Sequence, residues 1–316
     1  PPRPSPPSPT ARLTRFRALH QKTTRLSAST TTHLSPPPAR AQLASLLRKL
    51  ASLARDDARA AGAHAALAYA AREQVFLDVG RAAARAGGDA RVVCAAVEVL
   101  AALAEEGDEG FVPMRGFARC VVGVVRGVVE TGGEETETLT ACLELLFGVA
   151  AQIRLRPEIL PAWFAGGDDD DEKHTAADTG DAFPLCHLLL AHVHHAGRTG
   201  DFARTGLLYM FEAAARAPAL DAWLLASDVP TLMASGLGAL YSQLARALSI
   251  VHGDAALPGV LALSDYGTGV PVGGAESAFS PRHRAHLATF LASLSFWQDV
   301  VRHPRGRLRA VLLERF

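Results

Sequence analysis

Aromatic residues, cysteines and net charge are what this sequence has least of. Phe, Trp and Tyr make up only 6 % of its 316 residues, and it has four cysteines, Cys94, Cys120, Cys142 and Cys186. So few cysteines in a chain of this size exclude a small disulfide-stapled scaffold, and we expect four buried free thiols in a reducing compartment. Lys and Arg balance Asp and Glu at 32 each, which argues against a uniformly basic nucleic-acid binder.

Long apolar runs are also missing. A membrane-spanning helix needs about 20 predominantly apolar residues. The longest uncharged stretch, between Asp228 and Arg246, contains Pro230, Ser235 and Gln243, so we expect a buried helix there and no membrane span. The hydrophobic content of 49 % is enough for a substantial core and excludes wholesale disorder. The length predicts about two domains or one elongated unit.

The first part of the chain has no acidic residue before Asp56, and nine of the 19 prolines lie in residues 1–38. We predict that residues 1–38 form a disordered basic leader rich in Pro, Ser and Thr, with a short helix at 11–26. An Arg-rich start without acidic residues is also typical of a mitochondrial transit peptide, and that alternative stays open.

Apolar residues recur every three or four positions along the rest of the chain, which predicts amphipathic helices. The last clear stripe runs Leu287, Phe290, Leu291, Leu294, Trp297 and Val301. Alternating patterns typical of strands are nearly absent, although the Val-rich segment 121–129 is ambiguous. We therefore predict an all-α fold, a degenerate HEAT- or armadillo-like α-solenoid of antiparallel helices over residues 39–316, with loops at 166–181 and 267–280.

Two acidic residues are candidates for helix N-caps. Asp89 follows a glycine pair and is predicted to cap a helix from about Ala90. Asp201 is predicted to cap the helix that runs through Leu207 and Phe211.

The sequence contains fragments of chemical motifs but none that is complete. The acidic run at 168–172 fails as a calcium loop, because Lys173 and Thr179 stand where Gly and Glu are needed. Gly236 and Gly238 match neither a nucleophile elbow nor a dinucleotide-binding loop. Four histidines, His187, His192, His194 and His195, form a cluster without HExxH or CxxC. We expect partly exposed helical histidines, and a metal-dependent hydrolase or transferase is the alternative.

Six segments, in this order along the chain, resemble one family. They are 12–19 (RLTRFRAL), 147–164 (FGVAAQIRLRPEILPAWF), 200–212 (GDFARTGLLYMFE), 227–246 (SDVPTLMASGLGALYSQLAR), 257–266 (LPGVLALSDY) and 280–300. Together they are similar to the N-terminal part of the fungal branch of the Hook-interacting protein (FHIP) family, the large subunit of the FTS–Hook–FHIP complex.

This resemblance implies a helical adaptor that is not an enzyme and binds no cofactor. The implied partners are Hook, a dynein adaptor with a long coiled coil; FTS, a ubiquitin-conjugating-enzyme-like protein; and an early-endosomal Rab GTPase. We accordingly expect a cytoplasmic protein, peripheral on early endosomes through its partners, that serves microtubule-based transport and binds no nucleic acid.

The resemblance carries over no catalytic or metal-binding residue. Four polar residues in the matching segments are less easily explained by packing than their neighbours, namely Arg204, Gln243, Gln298 and Asp299. They either satisfy buried helix ends or form a partner surface, and both alternatives stay open. Helical spacing predicts that Leu237, Tyr241 and Leu244 share a buried stripe.

Overall fold

The computed structural model is helical apart from one minimal pair of strands, so the predicted all-α class is confirmed. The residues that it describes are 8–29, 37–60, 63–86, 88–105, 110–131, 137–165, 182–244, 248–249, 276–277, 281–304 and 306–315. The chain divides into two compact units, unit 1 (Pro1–Leu189) and unit 2 (Leu190–Phe316). The predicted loop at 166–181 lies outside the described residues, as does the loop at 267–280 apart from its strand residues.

Unit 1 is built around one central helix. Its elements are α1 (Pro9–Ser29), α2 (Pro37–Ala58), α3 (Ala65–Arg72), α4 (Val75–Arg85), α5 (Ala90–Ala104), α6 (Arg115–Glu130), α7 (Glu137–Leu155), a 3₁₀ helix (Pro157–Ala162) and α8 (Pro184–Leu190), which ends at the boundary. α5 packs against α2, α4 and α7, and α4 also lies beside α6. Ten of the 15 residues of α5 are buried, so its apolar side chains form the middle of this core.

The start of α5 confirms the sequence-based prediction of its cap. The Asp89 carboxylate accepts hydrogen bonds from the backbone amides of Arg91 and Val92, at 3.0 and 3.4 Å. Asp89 itself has extended backbone angles, as an N-cap residue does. The cap satisfies two of the amides that a helix start leaves without an intrahelical partner.

The helix predicted at 11–26 is present as α1, which spans residues 9–29. The region nevertheless differs from the expected disordered leader, because α1 packs on α2, α3 and α4. Its buried face is mostly polar. It consists of Arg12, Phe16, His20, Thr23 and Ser27, at helical spacing. A search for apolar periodicity therefore finds little signal there. Residues 1–7 and 30–36 lie outside the described residues, and the expectation of disorder stays a prediction for them.

One buried carboxylate joins the first three helices. The Nε atom of Arg12 donates to Oδ1 of Asp57 at 2.7 Å, and the two side chains are 6 % and 0 % exposed. The other oxygen, Oδ2, accepts from the backbone amides of Ala66 and Leu67 at 2.9 and 3.2 Å. Asp57 lies at the end of α2, so its side chain anchors α1 and caps the start of α3.

A second polar contact fixes α1 against α3 and α4. The two ring nitrogens of His20 lie 3.1 Å from the Tyr69 hydroxyl and 2.9 Å from a carboxylate oxygen of Asp78. Phe16, one turn earlier, has no exposed surface and packs edge-on against the same tyrosine. α1 is therefore an integral part of unit 1.

Aromatic residues, although few, concentrate at one point of unit 1. The rings of Phe76, Phe111 and Phe117 contact one another with centroids 5.7–6.2 Å apart. The carbonyl oxygen of Val112, the residue after Phe111, accepts a 2.9 Å hydrogen bond from the indole nitrogen of Trp163. These contacts join α4 and α6 to the segment after the 3₁₀ helix.

α7 is long and apolar enough to cross a membrane by length and composition. Half of its apolar window is nevertheless buried inside the protein, and α7 packs against α5 and α6. These are the properties of a core helix in a folded domain.

Unit 2 contains the remaining elements. They are α9 (Gly197–Ala214), α10 (Pro218–Ala226), α11 (Val229–Ser242), the strands β1 (Leu248–Ser249) and β2 (Glu276–Ser277), α12 (Pro281–Arg302) and α13 (Gly306–Arg315). The strands pair in parallel, with Leu248 opposite Glu276. α9 packs against α10 and α12, and α13 contacts α10, α11 and α12.

Asp57 gives a direct test of this fold. We expect Asp57→Ala to lower the free energy of unfolding by about 3–5 kcal/mol, because it removes the carboxylate that pairs with the buried Arg12 guanidinium and leaves two amides without their acceptor. Guanidinium unfolding followed by circular dichroism measures this loss. The control is Asp56→Ala at the exposed neighbouring position, which should change stability by less than about 0.5 kcal/mol. Equal losses in the two variants would contradict the role of the buried carboxylate.

Candidate functional site

The four polar residues singled out in the sequence do not form one site. Arg204 is buried in unit 2, with 7 % of its surface exposed, whereas Gln243 and Gln298 are exposed. Asp299 is half-buried and accepts a 3.2 Å hydrogen bond from Arg302 one turn later in α12. These residues therefore need separate explanations.

Arg204 holds the turn that precedes α9. Its Nη1 atom donates to the carbonyl oxygens of Val193 and His195, at 2.7 and 3.1 Å. Its Nη2 atom donates to Oδ1 of Asp201 at 2.6 Å. These hydrogen bonds within the chain explain why a guanidinium is buried here, and no partner protein is needed to explain it. Asp201 is not the expected N-cap, because α9 begins earlier, at Gly197, and the carboxylate pairs with Arg204 instead.

Gln243 and Gln298 occupy surface positions. Gln243 is the C-cap residue of α11, and its carbonyl oxygen lies 3.4 Å from Nδ1 of His286 at the start of α12. Gln298 is exposed near the end of α12. Their side chains are available to a partner, so the partner-surface alternative stays a prediction for them.

Two glycines allow the turn before α9 to pack closely. A Cβ atom on Gly200 would collide with the carbonyl oxygen of His195, and one on Gly236 in α11 would collide with the imidazole ring of His194. In the sequence, Gly236 completes neither of the enzyme motifs considered above. The structure shows that its neighbour is the side chain of a histidine.

The histidine cluster lies mostly in this same turn. Nδ1 of His192 is 3.4 Å from Nε2 of His195, and their rings meet edge to face. Burial lowers the pKa of His192, with a further lowering by His195. Burial also lowers the pKa of His194, assisted by the positive charge of Arg204. In the part of the chain that the structure describes, no three His, Cys, Asp or Glu side chains converge as a metal site would require.

The four cysteines are free thiols, as predicted, although only Cys142 and Cys186 are fully buried. Burial raises the pKa of Cys120 to about 11 and that of Cys142 to about 12. Burial raises the pKa of Cys186 as well. Thiols with raised pKa values are poor nucleophiles near neutral pH, so these three residues have the character of packing groups.

The predicted buried stripe of Leu237, Tyr241 and Leu244 is wrong, and Leu237 and Leu244 are only partly buried. Tyr241 is 67 % exposed, and its ring lies 5.9 Å from that of Phe290 on α12. α11 instead buries Val229, Pro230, Met233 and Leu240. Because α11 carries apolar residues on every side, helical spacing alone did not identify its buried face.

A groove on unit 1 is the concave site that the sequence analysis missed. It lies between α4 and α6, has a volume of about 810 Å³, and is bordered by the first residues of α5 and α7. Small residues line much of it, namely Gly80, Ala84, Gly88, Cys120, Gly123 and Gly127. The available signal was the glycine spacing inside the Val-rich segment 121–129, which the structure shows to be helical.

Comparison with known families corrects the resemblance stated above. The family model that matches is RAI16-like, described as retinoic acid induced 16-like protein, and it covers residues 66–316. It is not an FHIP model, so the identification with the FHIP family is wrong. One of the segments on which it was based begins in α7, whose apolar spacing reflects core packing, and such spacing recurs among helical proteins. A search of curated proteins gives no match.

Gly200 tests the packing of the turn before α9. We expect Gly200→Ala to lower the free energy of unfolding by about 2–4 kcal/mol, because the new Cβ collides with the backbone carbonyl of His195. Gly148→Ala in α7 is the matched control, since its Cβ would have no neighbour within 4 Å. In that control, the higher helix propensity of alanine should raise the free energy of unfolding by up to about 1 kcal/mol. Thermal unfolding distinguishes the two, and equal effects would contradict the close approach at Gly200.

The lowered pKa values of His192 and His194 predict a dependence of stability on pH. Below about pH 6.5 the unfolded chain binds protons at these two histidines more readily than the folded protein does, so the free energy of unfolding falls as the pH drops through that value. Above it the contribution is fully present. Melting temperatures at about pH 7.5 and pH 5.5 measure the effect.

The double variant His192→Gln/His194→Gln should reduce this pH dependence. His303→Gln, at an exposed position after α12, is the control and should leave most of it in place. A double variant with the same dependence as the wild type would show that other groups are responsible.

Proposed function

We propose that the chain, which belongs to the retinoic acid induced 16-like family, is a non-enzymatic helical adaptor that works by binding other proteins. The observation that carries the proposal is the open groove between α4 and α6. Its lining is mostly apolar, with Arg81, Arg119 and Glu130 as its charged members and no histidine or aspartate among the lining residues. A concave apolar surface of this kind is suited to binding more than to acid–base chemistry.

The arrangement of helices in unit 1 supports a scaffold role. α2, α5 and α7 follow one another side by side, and α4 and α6 do the same. The successive pairs α4–α5 and α6–α7 are in contact. Pairs of helices stacked in two such rows are the building principle of α-solenoids, which present extended binding surfaces. We therefore propose that unit 1 is a short, irregular α-solenoid.

The alternative function, a metal-dependent hydrolase or transferase, was based on the histidine cluster. The contacts of that cluster hold the turn before α9 in place. His194 packs on Gly236, and the carbonyl oxygen of His195 accepts a hydrogen bond from Arg204. The adaptor proposal accounts for these contacts and for the groove, so it is the better supported of the two.

In its specific form, the proposal includes the role expected in the sequence analysis. That role is to link Hook and dynein to early endosomes, with Hook, FTS and an early-endosomal Rab GTPase as partners and the chain in the cytoplasm. The description of the matching family names none of these partners, so they are the candidates for a binding experiment.

The experiment uses the whole 316-residue chain, purified and checked for helicity by circular dichroism. It is immobilised and mixed separately with FTS, with the C-terminal part of Hook, and with the GTPase in its GTP-bound and GDP-bound forms. We expect binding that resists salt for at least one of them. If the folded chain binds none, the specific form of the proposal is overturned.

Two further measurements test the remaining alternatives. The variant Gln243→Arg/Gln298→Arg should weaken binding if the exposed glutamines belong to the partner surface, and unchanged affinity would remove them from it. Elemental analysis of the purified chain addresses the enzyme alternative. A tightly bound metal ion at one per chain would favour that alternative over the adaptor.

A further inference from the structure

The groove between α4 and α6 has space because its lining residues are small. The two helices approach closely at Gly80, where a Cβ would lie 2.6 Å from Sγ of Cys120. Further along α6, Gly123 and Gly127 are exposed, and a Cβ on either would have no neighbour within 4 Å. A third helix can therefore approach the backbone of α6 more closely than ordinary side chains would permit.

The groove is open along its length, which favours a helix over a small molecule as its occupant. Ala84 and Gly88 on one wall and Gly123 and Gly127 on the other are all exposed. A small apolar molecule lying there would remain largely in contact with water. An amphipathic helix would cover both walls with one face and keep its polar face in solvent.

The charges around the groove indicate the chemistry of that helix. Three charged residues line the groove, namely Arg81, Arg119 and Glu130. Arg81 and Arg119 line the groove from opposite helices. Arg81 pairs with Asp78 at 3.1 Å, whereas exposed Arg119 has no hydrogen bond or ion pair with another described residue. The groove is thus apolar inside, and its charged lining residues are two arginines and one glutamate.

We propose that this groove binds an acidic amphipathic helix of a partner protein. The apolar face of that helix would lie on Gly123 and Gly127, and its carboxylates would reach Arg81 and Arg119. This proposal rests on the proposed adaptor function, because it states which partner chemistry the same site accepts. The recognition combines burial of apolar area with charge complementarity at the rim.

A synthetic peptide provides the test. The probe is an amphipathic helix of about 14 residues, with leucines on one face, glutamates beside them and a fluorescent label. Its anisotropy is measured during titration with the whole chain. We expect saturable binding that weakens as salt is added. The same peptide with lysines in place of the glutamates should bind at least about tenfold more weakly.

Variants at the groove floor locate the site. Gly123→Leu and Gly127→Leu should each weaken binding at least about tenfold, because a leucine side chain occupies the space that the peptide needs. Gly148→Leu is the matched control on α7, where a Cβ would also have no neighbour within 4 Å, and it should leave the affinity unchanged. Circular dichroism verifies that each variant folds. Unchanged affinity in both groove variants would overturn the proposed site.

Variants at the rim test the charge. Arg119→Glu should weaken binding of the acidic peptide about tenfold and strengthen binding of the lysine peptide. Arg309→Glu, at an exposed position on α13 in the other unit, is the control and should change neither. Equal affinity of the wild-type chain for the two peptides would overturn the charge argument.

The remaining outcomes separate this inference from the proposed function. If the folded chain binds Hook, FTS or the GTPase but not the peptide, the groove proposal fails and the adaptor function stands. If it binds neither the peptide nor any of these three proteins, the groove proposal and the specific form of the adaptor proposal both fail. A concentration-dependent dimer in light scattering that Gly123→Leu abolishes would assign the groove to a second copy of the chain and overturn the partner helix.

Discussion

The buried carboxylate of Asp57 is the interaction on which unit 1 depends. Removing a carboxylate from water costs several kcal/mol unless hydrogen bonds and an opposite charge replace the lost solvation. Here the replacements are the Arg12 guanidinium and the amides of Ala66 and Leu67. α1, the end of α2 and the start of α3 must therefore be in place together. Once α1 is fixed, His20 can reach Asp78 on α4.

The sequence predicted the helices that bury an apolar face and failed where the buried face is polar. The sequence predicted α5 because Asp89 marks its start and α12 because its apolar residues repeat at helical spacing. α1 was not recognised as part of the core, because Phe16 is its one large apolar buried residue. The partners that make such a face stable lie about 45 residues or more away in sequence. Local patterns do not contain that information.

The candidate site residues likewise could not be interpreted from local sequence patterns alone. Arg204 stood out correctly as an unusual residue, but only its contacts with Val193 and His195 reveal that it holds a turn. The sequence did not predict the groove, because glycine and alanine residues, which have little or no side chain, form much of its lining. Gly123 and Gly127 in a Val-rich segment are compatible with a strand bulge, a turn or a helix surface. Only the position of α4 beside α6 makes them the lining of a groove.

The packing of α2 on α5 shows that the family match and the folded unit begin at different residues. The family match begins at residue 66, after both α1 and α2. Yet α2 covers α5, most of whose residues are buried, and Asp57 caps the helix that begins at Ala65. The segment that defines the family by sequence is thus smaller than the segment that folds. A relative whose chain began at the match would need another helix, or a bound protein, to cover the exposed side of α5.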